Sequence, residues 1–381
     1  TMRSAHFDAT TARQPLRLWP GVVLVVLQWL LRFGLPIVVP EAMPVGMMAG
    51  ALGGFAILVW WLFLSRAPWP ERLGATALVL AAVLVTSRLV DDSIATAAQG
   101  MLYPILAIPI VSLAFVAWAA LGRGLAPGPR YAALAAILAL VCGALASIQT
   151  YGVSGGLRWD FAWRWATTPE ERLLASSEAG TAEQTVAAVA VERPADWPGF
   201  RGRGRDGVVK GVRIATDWAA SPPVELWRRA VGPGWSSFAV AGDFLYTQEQ
   251  RGEQEVVACY RTSSGEPVWQ HGDPVRFWEA MAGAGPRSTP TLHRGRVYAL
   301  GATGLLNVLD ARDGAVVWSR DAAADTETAV PGWGFASSPL VVDDLVIAAA
   351  AGQLIAYDLA TGEPRWLGPE GGESYSSPHL L

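Results

Sequence analysis

The chain is poor in the residues that build disulfide frameworks and metal centres. Among its 381 residues there are two cysteines and four histidines. Cys142 lies in an apolar segment and Cys259 in a predicted strand, so we do not expect the two to pair. The sequence also has no CxxCH haem-attachment motif and no zinc-ligand spacing. These absences exclude a disulfide scaffold and argue against a haem or zinc protein.

Positive charge is also scarce in the C-terminal part of the chain. Residues 152–381 hold 20 Lys and Arg against 28 Asp and Glu, and such an acidic segment disfavours nucleic acid as a partner. Gly202, Gly204 and Gly207 in GRGRDG satisfy the dinucleotide pattern GxGxxG. That site needs a preceding strand and a following helix, and neither is predicted here. The segment also resembles an arginine-glycine RNA-binding tract, but its acidic surroundings favour an ordinary loop.

Hydrophobic residues make up 52% of the chain, which is more than an ordinary soluble protein contains. The excess lies in five apolar runs, each long enough to cross a bilayer. Their approximate limits are 22–39, 45–64, 73–90, 101–121 and 131–151. A signal peptide would explain one such run but not five, so residues 1–151 are predicted to be a transmembrane helical anchor in the lipid bilayer.

The loops between the runs carry charges that predict an orientation. Arginines precede the first run and occupy the loops after the second and fourth runs: Arg3, Arg13, Arg17, Arg66, Arg72, Arg123 and Arg130. The positive-inside rule places these regions in the cytoplasm, and Glu41, Asp91 and Asp92 in the other loops fit the outer side. The C-terminal half is then periplasmic and the anchor lies in the bacterial inner membrane. The third run, which ends near Arg88, is the weakest, and its loss would reverse this orientation.

Two polar residues lie one helical turn apart within the first run. Gln28 and Arg32 are costly to bury in a bilayer, which suggests a function such as binding a membrane quinone. The alternative is that Arg32 extends toward the interface and has a structural role, and this interpretation is preferred.

A juxtamembrane segment is predicted over residues 152–195. Aromatic residues follow the last run directly in LRWDFAWRW, and such rings favour the membrane interface. Thr168 is predicted to cap a short amphipathic helix that begins at Pro169 and continues through PEERLLASS. Residues from about 176 to 194 have the composition of a linker.

From residue 196 the sequence is rich in aromatic and β-branched residues, which favour strands, and it repeats itself. Three glycines are each followed four residues later by a tryptophan, and the pairs recur every 48 to 49 residues. The pairs are Gly265 and Trp269, Gly314 and Trp318, and Gly362 and Trp366. A period of this size is typical of propeller blades, here predicted over 237–269, 289–318 and 338–366. The stretch 217–231, with Trp227, is expected to supply an outer strand.

Three blades do not close a ring, because closed propellers have roughly 4 to 8 blades. The predicted fold class is therefore five transmembrane helices followed by an incomplete all-β propeller. The chain is expected to be part of a longer protein, since its last strand would otherwise keep an unpaired edge.

The repeat pattern x-D-x-x-x-G-x-x-x-W resembles the tryptophan-docking motif of pyrroloquinoline quinone (PQQ) dehydrogenase propellers and their non-catalytic relatives. Asp310 and Asp358 complete the motif in two copies, whereas Arg261 replaces the aspartate in the first. The segment DWPGFRGRGRDG is also similar to a motif of bacterial PQQ-like repeat proteins. The resemblance covers residues 196–381. It implies a quinoprotein-type propeller in which each repeat tryptophan has a structural role, packed on the glycine turn of the next blade.

An anchor followed by such a propeller also resembles the layout of membrane-bound quinoprotein glucose dehydrogenase. The resemblance implies PQQ and Ca²⁺ as cofactors, oxidation of an alcohol or sugar outside the membrane, and electron transfer to membrane quinone. No catalytic motif of that enzyme is seen, and the paired adjacent cysteines of soluble quinoprotein alcohol dehydrogenases are absent. The alternative function is a non-catalytic propeller scaffold that holds envelope proteins.

Candidate binding residues lie in the loops at the starts of the predicted blades. A PQQ site needs a flat aromatic floor, arginines for the PQQ carboxylates, and carboxylate and amide oxygens for Ca²⁺. The candidate cofactor-binding residues are Arg287, Trp333, Trp235 and Glu249, with Arg276 and Glu279 beside them. The alternative is that these loops only make the turn into the innermost strand. No catalytic base or metal ligand is assigned.

Overall fold

A computed structural model describes residues 16–153, 159–178, 194–371 and 374–380. The chain divides into two compact units, Thr1–Trp165 and Ala166–Leu381. Arg3, Arg13 and most of the predicted linker lie outside the described residues.

The first unit contains five helices that are long and apolar enough to cross a membrane, as the sequence predicts. They run over Trp19–Val38, Pro40–Leu64, Trp69–Thr86, Leu102–Gly124 and Pro127–Ala146. A short helix, Asp92–Thr96, lies between the third and the fourth. The first helix contains a π-helical turn at Leu30–Gly34 and the second contains one at Trp60–Leu64.

Aromatic packing joins the helices of this unit. Trp60, Trp61 and Trp118 are almost completely buried. A Cβ on Gly21 would lie 2.6 Å from the Trp60 ring, so glycine is what lets the first two helices approach closely there. The indole Nε1 of Trp60 donates to the Arg17 carbonyl at 2.9 Å, so the buried ring keeps its polar atom satisfied.

Gln28 and Arg32 lie where the first helix meets the second. Gln28 is 1% exposed and its side-chain amide donates to the Gly50 carbonyl at 2.7 Å. Arg32 lies in the π-helical turn and packs its methylenes along Gly50. Gly50 leaves room for Arg32 and Gly53 leaves room for Gln28, so both side chains contribute to the contact between these two helices.

The fifth helix ends at Ala146, five residues before the predicted end of the run at Tyr151. The residues that follow form a hairpin of two strands, β1 (Ile148–Val153) and β2 (Trp159–Trp163). The predicted run continued too far because β-branched and aromatic residues are apolar but prefer a strand. The rings of Trp163 and Trp165 stack at 5.2 Å beside this hairpin, and both are exposed.

Within its described residues, the second unit contains three four-stranded antiparallel sheets, which are the blades of the propeller. Blade 1 consists of β3 (Ala239–Ala241), β4 (Phe244–Arg251), β5 (Gln254–Arg261) and β6 (Pro267–Asp273). A small hairpin, β7 (Trp278–Glu279) and β8 (Gly283–Ala284), follows it. Blade 2 consists of β9 (Thr291–His293), β10 (Arg296–Leu300), β11 (Leu305–Asp310) and β12 (Val316–Asp321). Blade 3 consists of β13 (Leu340–Val342), β14 (Leu345–Ala350), β15 (Gln353–Asp358) and β16 (Pro364–Leu367). A short helix, Ala322–Asp325, follows blade 2.

The blades are stacked face to face. Strand β9 lies beside both β3 and β13, so the first strand of each blade is the innermost one. Apolar side chains fill the spaces between neighbouring blades, with Cys259 and Val297 in one cluster and Leu306 and Tyr357 in the other. The described blades form an incomplete propeller, as predicted. Residues 217–231 form no strand, although Trp227 does contact blade 1.

The antiparallel order gives the blades two distinct ends. Segments that connect the outermost strand of one blade to the innermost strand of the next lie at one end, here called the connecting-loop end. The turns that contain Gly265, Gly314 and Gly362 lie at the other, here called the glycine-turn end.

A surface helix, Pro169–Glu178, packs on blade 1. Thr168 and Glu171 form a capping box: the Glu171 N–H donates to Thr168 Oγ1 at 3.0 Å, and the Thr168 N–H donates to Glu171 Oε2 at 2.7 Å. The helix thus begins where the sequence predicts. Glu170 forms a two-pronged ion pair with Arg276 at 2.8 and 2.9 Å, and this pair holds the helix against the connecting-loop end.

Candidate functional site

The repeat glycines and tryptophans meet between consecutive blades. A Cβ on Gly314 would lie 2.5 Å from the Trp269 ring, and the backbone of Gly314 has φ +75°. The Trp269 Nε1 donates to the Ala311 carbonyl at 3.0 Å. A glycine at this turn therefore allows both the left-handed backbone and the close approach of the indole.

The same contact recurs on both sides. Trp318 lies over Gly362 and donates to the Leu359 carbonyl at 3.2 Å. Trp227 lies over Gly265 and donates to the Thr262 carbonyl at 2.9 Å, a pairing that sequence reasoning missed because Trp227 stands outside the three repeats. Trp366, in the last described blade, is 40% exposed.

Four aromatic side chains are exposed at the connecting-loop end: Trp235, Phe238, Trp278 and Trp333, with exposures of 59%, 40%, 42% and 55%. The Trp235 backbone N–H donates to the Pro286 carbonyl at 2.8 Å, and its Nε1 donates to the Ala282 carbonyl at the same distance. The structure therefore joins the loop of Trp235 to the loop that carries Arg287. Trp333 lies 5.2 Å from Tyr375, measured between ring centroids.

Arg287 is enclosed by its own loop. Its side chain is 6% exposed and pairs with Glu279 at 3.2 Å. It also donates to the carbonyls of Gly283 at 2.7 Å and Ala284 at 3.3 Å, and it lies over the Phe277 ring. Burial lowers the pKa of this guanidinium, and the charges of Glu279 and Glu255 oppose that shift. Most of its donors are thus used within the protein.

Glu249 is also bound internally. It is 1% exposed, and its carboxylate pairs with Arg251 at 2.9 Å and accepts a hydrogen bond of 2.5 Å from the Tyr260 hydroxyl. The Gly232 N–H also donates to it. Burial raises the pKa of Tyr260, and the negative charge of Glu249 adds to that effect. The carboxylate therefore joins strands of blade 1 to the segment before it.

A carboxyl that sequence reasoning did not select, Glu255, is buried between blades 1 and 2. It is 6% exposed and accepts from the Ala302 N–H at 3.1 and 3.2 Å. Burial raises its pKa to about 7, with a further rise from Asp273 and opposition from the Ala302 hydrogen bond and from Arg287. The only signal in the sequence was an acidic residue at the start of the apolar run EVVACY.

Neighbouring polar groups continue this cluster toward the outer strand of blade 2. The Asn307 amide donates to Asp273 at 2.6 Å, and the Ser319 hydroxyl donates to the Asn307 amide oxygen at 2.7 Å. These atoms satisfy one another, which is why they are stable between two sheets.

The described residues do not form a complete site for PQQ and Ca²⁺. Arg287 and Glu249 are held by internal ion pairs and hydrogen bonds, and the Asn307 amide oxygen accepts from Ser319. Among the residues with described positions, no group of three or more His, Cys, Asp or Glu is placed to hold a metal ion. Trp235 and Trp333 remain available as exposed rings.

Comparisons with known proteins agree with the fold of the second unit. Residues 215–377 match the family described as outer membrane protein assembly factor BamB. A curated relative, outer membrane protein assembly factor BamB from Shewanella oneidensis, is 32% identical over 114 residues, which are 29% of this chain and 27% of that protein. The matched region thus spans about a quarter of the length of that relative.

Solved structures that are similar to parts of this chain include two dehydrogenases and a BamB protein. Quinohemoprotein alcohol dehydrogenase from Comamonas testosteroni is 20% identical with a TM-score of 0.35, over 52% of this chain and 30% of that one. Europium-containing methanol dehydrogenase is 19% identical with a TM-score of 0.29, over 36% and 25%. BamB from Moraxella catarrhalis is 18% identical with a TM-score of 0.24, over 35% and 34%.

Proposed function

We propose that the chain is a membrane-anchored propeller that binds other envelope proteins through its connecting-loop end and does not itself catalyse a reaction. The observation that carries this proposal is the group of four exposed aromatic side chains at that end: Trp235, Phe238, Trp278 and Trp333. Large aromatic residues on fixed loops are the usual anchors of protein interfaces. The similarity to an assembly factor supports the same function.

The internal pairing of the cofactor candidates also supports this proposal. An arginine that binds the carboxylates of PQQ must direct free donors at the ligand. The two terminal nitrogens of Arg287 donate instead to Glu279 and to two carbonyls, and its Nε, which has no partner among the described residues, is buried. Breaking such a buried pair to admit a ligand would leave Glu279 uncompensated.

We also propose that the anchor lies in the bacterial inner membrane with the propeller on the periplasmic side. Within the first unit, three arginines lie near the end of the second helix and the start of the third. The backbone N–H of Arg17 donates to the Ser65 carbonyl, and the Arg72 side chain donates to the Ala67 carbonyl. Arg130 pairs with Glu71 at 2.5 Å. The arginines that precede alternate helices thus gather at one end, which fits the positive-inside rule.

The interface can be tested by photo-crosslinking in living cells. A photoreactive phenylalanine analogue would replace Trp235 or Trp333 in the full chain, and Trp218 would serve as a control that is 60% exposed but lies outside the connecting loops. We expect crosslinks to defined envelope proteins from positions 235 and 333 but not from 218. Equal crosslinking at all three positions, or none at 235 and 333, would contradict the proposal.

A second candidate function is a quinoprotein dehydrogenase that oxidises an alcohol or sugar and reduces membrane quinone. Glu255 favours it, because a buried carboxyl with a pKa of about 7 suits a general base. The purified chain would be titrated with PQQ and Ca²⁺ and assayed for dye-linked oxidation. Stoichiometric PQQ binding with turnover would establish the enzyme and reject the scaffold, and no binding would reject the enzyme.

A further inference from the structure

A cleft of about 840 Å³ opens at the glycine-turn end, opposite the loops discussed above. Residues 194–205 form one wall, and the turns of blades 1 and 2 form the other. Five arginines line it: Arg203, Arg205, Arg294, Arg296 and Arg312. Among the lining residues that the structure describes, Asp310 is the only acidic one. The cleft is thus strongly cationic within a segment of the chain whose net charge is negative.

The wall formed by 194–205 is fixed because it bonds to the innermost strands of blades 1 and 2 and contacts blade 3. Trp197 pairs with Val240 of blade 1, and the Leu292 N–H of blade 2 donates to the Pro198 carbonyl at 2.7 Å. The guanidinium of Arg205 reaches blade 3, where it donates to the Ser338 carbonyl at 2.9 Å. The cleft is therefore built by the fold and not by a mobile loop that happens to lie there.

Most of this positive charge is not neutralised. Arg312 forms a two-pronged ion pair with Asp310 at 2.9 and 2.7 Å. Arg205 and Arg203 donate to backbone carbonyls, which leave their charges in place. Among the described residues, neither Arg294 nor Arg296 forms an ion pair or a side-chain hydrogen bond. Arg296 does lie opposite Asp310 in the sheet, and it adds to the effect by which Arg312 lowers the pKa of that carboxyl.

The positive charge of the cleft also affects a histidine in the same lining, His293. The Nε2 atom of His293 is buried and has no hydrogen-bond partner among the described residues. Burial lowers the pKa of His293, and the charge of Arg294 lowers it further. The histidine is thus held neutral and adds no negative or positive charge to the cleft.

Two of the arginines occupy a backbone conformation that disfavours them. Arg294 has φ +46° and Arg205 has φ +52°, in the left-handed region that costs a non-glycine residue roughly 1–2 kcal/mol. The corresponding turns contain Gly242 in blade 1 and Asp343 in blade 3, residue types that tolerate this region. Strain of this kind is found at functional sites, where the side chain is needed in that position.

We propose that this cleft binds an anionic group, a carboxylate or phosphate, of a ligand that the guanidinium groups of Arg294 and Arg296 contact directly. Arginine matches the planar geometry of such groups and forms two hydrogen bonds with them. The volume suits a small organic anion or the acidic end of a peptide. This inference does not depend on the function proposed for the connecting-loop end.

The test uses the purified full chain in an uncharged detergent and isothermal titration calorimetry. The probes are citrate, inorganic pyrophosphate and a peptide of glutamates with a free C-terminal carboxylate. The variants are Arg294→Asn, which keeps a residue tolerated at positive φ, and Arg296→Gln. Arg228→Gln is the control, because Arg228 is an exposed arginine outside the cleft that pairs only with Glu225.

We expect at least one probe to bind, with affinity reduced about tenfold or more by either cleft variant and unchanged by the control. Arg294→Asn should also leave the melting temperature equal or higher, because it relieves the unfavourable φ. Binding of citrate or pyrophosphate alone would identify a small-molecule ligand, and binding of the peptide alone would identify a protein segment. Failure of all three probes to bind, or binding that the cleft variants do not weaken, would overturn the proposal.

Discussion

At the scale of single residues, the contacts between blades depend on glycines that no other residue replaces without cost. Gly265, Gly314 and Gly362 have φ between +70° and +76°, and each has an indole against the position of its missing Cβ. Each position combines two requirements, a left-handed backbone and an absent side chain. These two contributions to stability can be separated experimentally.

We predict that Gly314→Ala destabilises the propeller more than Gly295→Ala does. Gly295 has φ +69° but nothing within 4 Å of its Cβ position, so its alanine variant carries only the backbone cost of about 1–2 kcal/mol. The Gly314 variant also displaces the Trp269 ring, which adds about 1–3 kcal/mol. Thermal unfolding followed by tryptophan fluorescence would measure both. Equal shifts in melting temperature would mean that the indole contact contributes nothing.

Glu255 should make the stability of the propeller depend on pH. Its pKa rises from the ordinary value of 4.5 to about 7 on folding, chiefly through burial. Between pH 4.5 and about 7, Glu255 therefore keeps a proton in the folded protein that it releases in the unfolded chain. The stabilisation is complete below pH 4.5 and is lost as the pH rises to about 7, by an amount on the order of 3 kcal/mol.

Glu255→Gln should flatten this dependence, because the amide does not titrate. Melting temperatures measured between pH 4.5 and 8 would show it, with Glu225→Gln as a control at an exposed site. An unchanged slope in Glu255→Gln would show that the carboxyl is ionised in the folded protein.

At the scale of elements, the surface helix is held by few groups that act together. Its capping box satisfies the N–H groups at its start, and Glu170 contacts both Arg276 and the Gly252 N–H. A helix of 10 residues is not stable by itself in water, so its order depends on this contact with blade 1.

We predict that Glu170→Gln loosens the surface helix without unfolding the blades. The ion pair is partly buried, with side-chain exposures of 29% and 16%, so its loss should cost about 1–2 kcal/mol locally. Hydrogen exchange of residues 170–176 should become about tenfold faster. Arg276→Gln should have the same effect, and the double variant should add little to either. Additive effects of the two substitutions would show that the pair is not coupled.

At the scale of the whole molecule, the chain joins a unit whose surface suits lipid to a unit whose apolar side chains are buried. The five helices of the first expose apolar side chains such as Ile37 and Leu140, as a lipid environment requires, whereas the blades bury theirs between sheets. The odd number of crossings decides on which side of the membrane the propeller lies.

Reporter fusions would test this orientation. Alkaline phosphatase, which is active only outside the cytoplasm, should be inactive when fused after Gly124 and active when fused after Gly100 or Trp165. The reason is the cluster of arginines at the Gly124 end of the helices, which resists translocation. Activity after Gly124 and inactivity after Trp165 would reverse the proposed topology.

The regular features of the fold could be predicted because they repeat or are long. The five apolar runs and the blade strands follow from hydropathy and from the glycine-tryptophan period, and both are local patterns. The end of the fifth helix was placed too late, because Ile148 and Tyr151 are apolar in either a helix or a strand. These residues form a strand because they pair with β2, and such pairing cannot be predicted from neighbouring residues alone.

The candidate site was predictable only in part. Sequence position brought Trp235 and Arg287 to the same end of the blades, but it did not show that Arg287 gives its donors to Glu279. It also placed GRGRDG, residues 202–207, in an ordinary loop. The cationic cleft arises only when residues 194–205 contact all three blades and meet Arg294 and Arg296 of blade 2.

The amino-acid sequence by itself determined that the chain has five apolar helices and blades that pack a tryptophan on a glycine turn, because hydropathy and turn chemistry act over a few neighbouring residues. The tertiary structure alone decided which charged groups remain free. Arg287 and Glu249 are neutralised by partners brought near in space, whereas Arg294 and Arg296 form no ion pair among the described residues, although Arg296 lies opposite Asp310 in the sheet. Charge pairing depends on distance in space and on burial, and the order of residues along the chain does not show either directly.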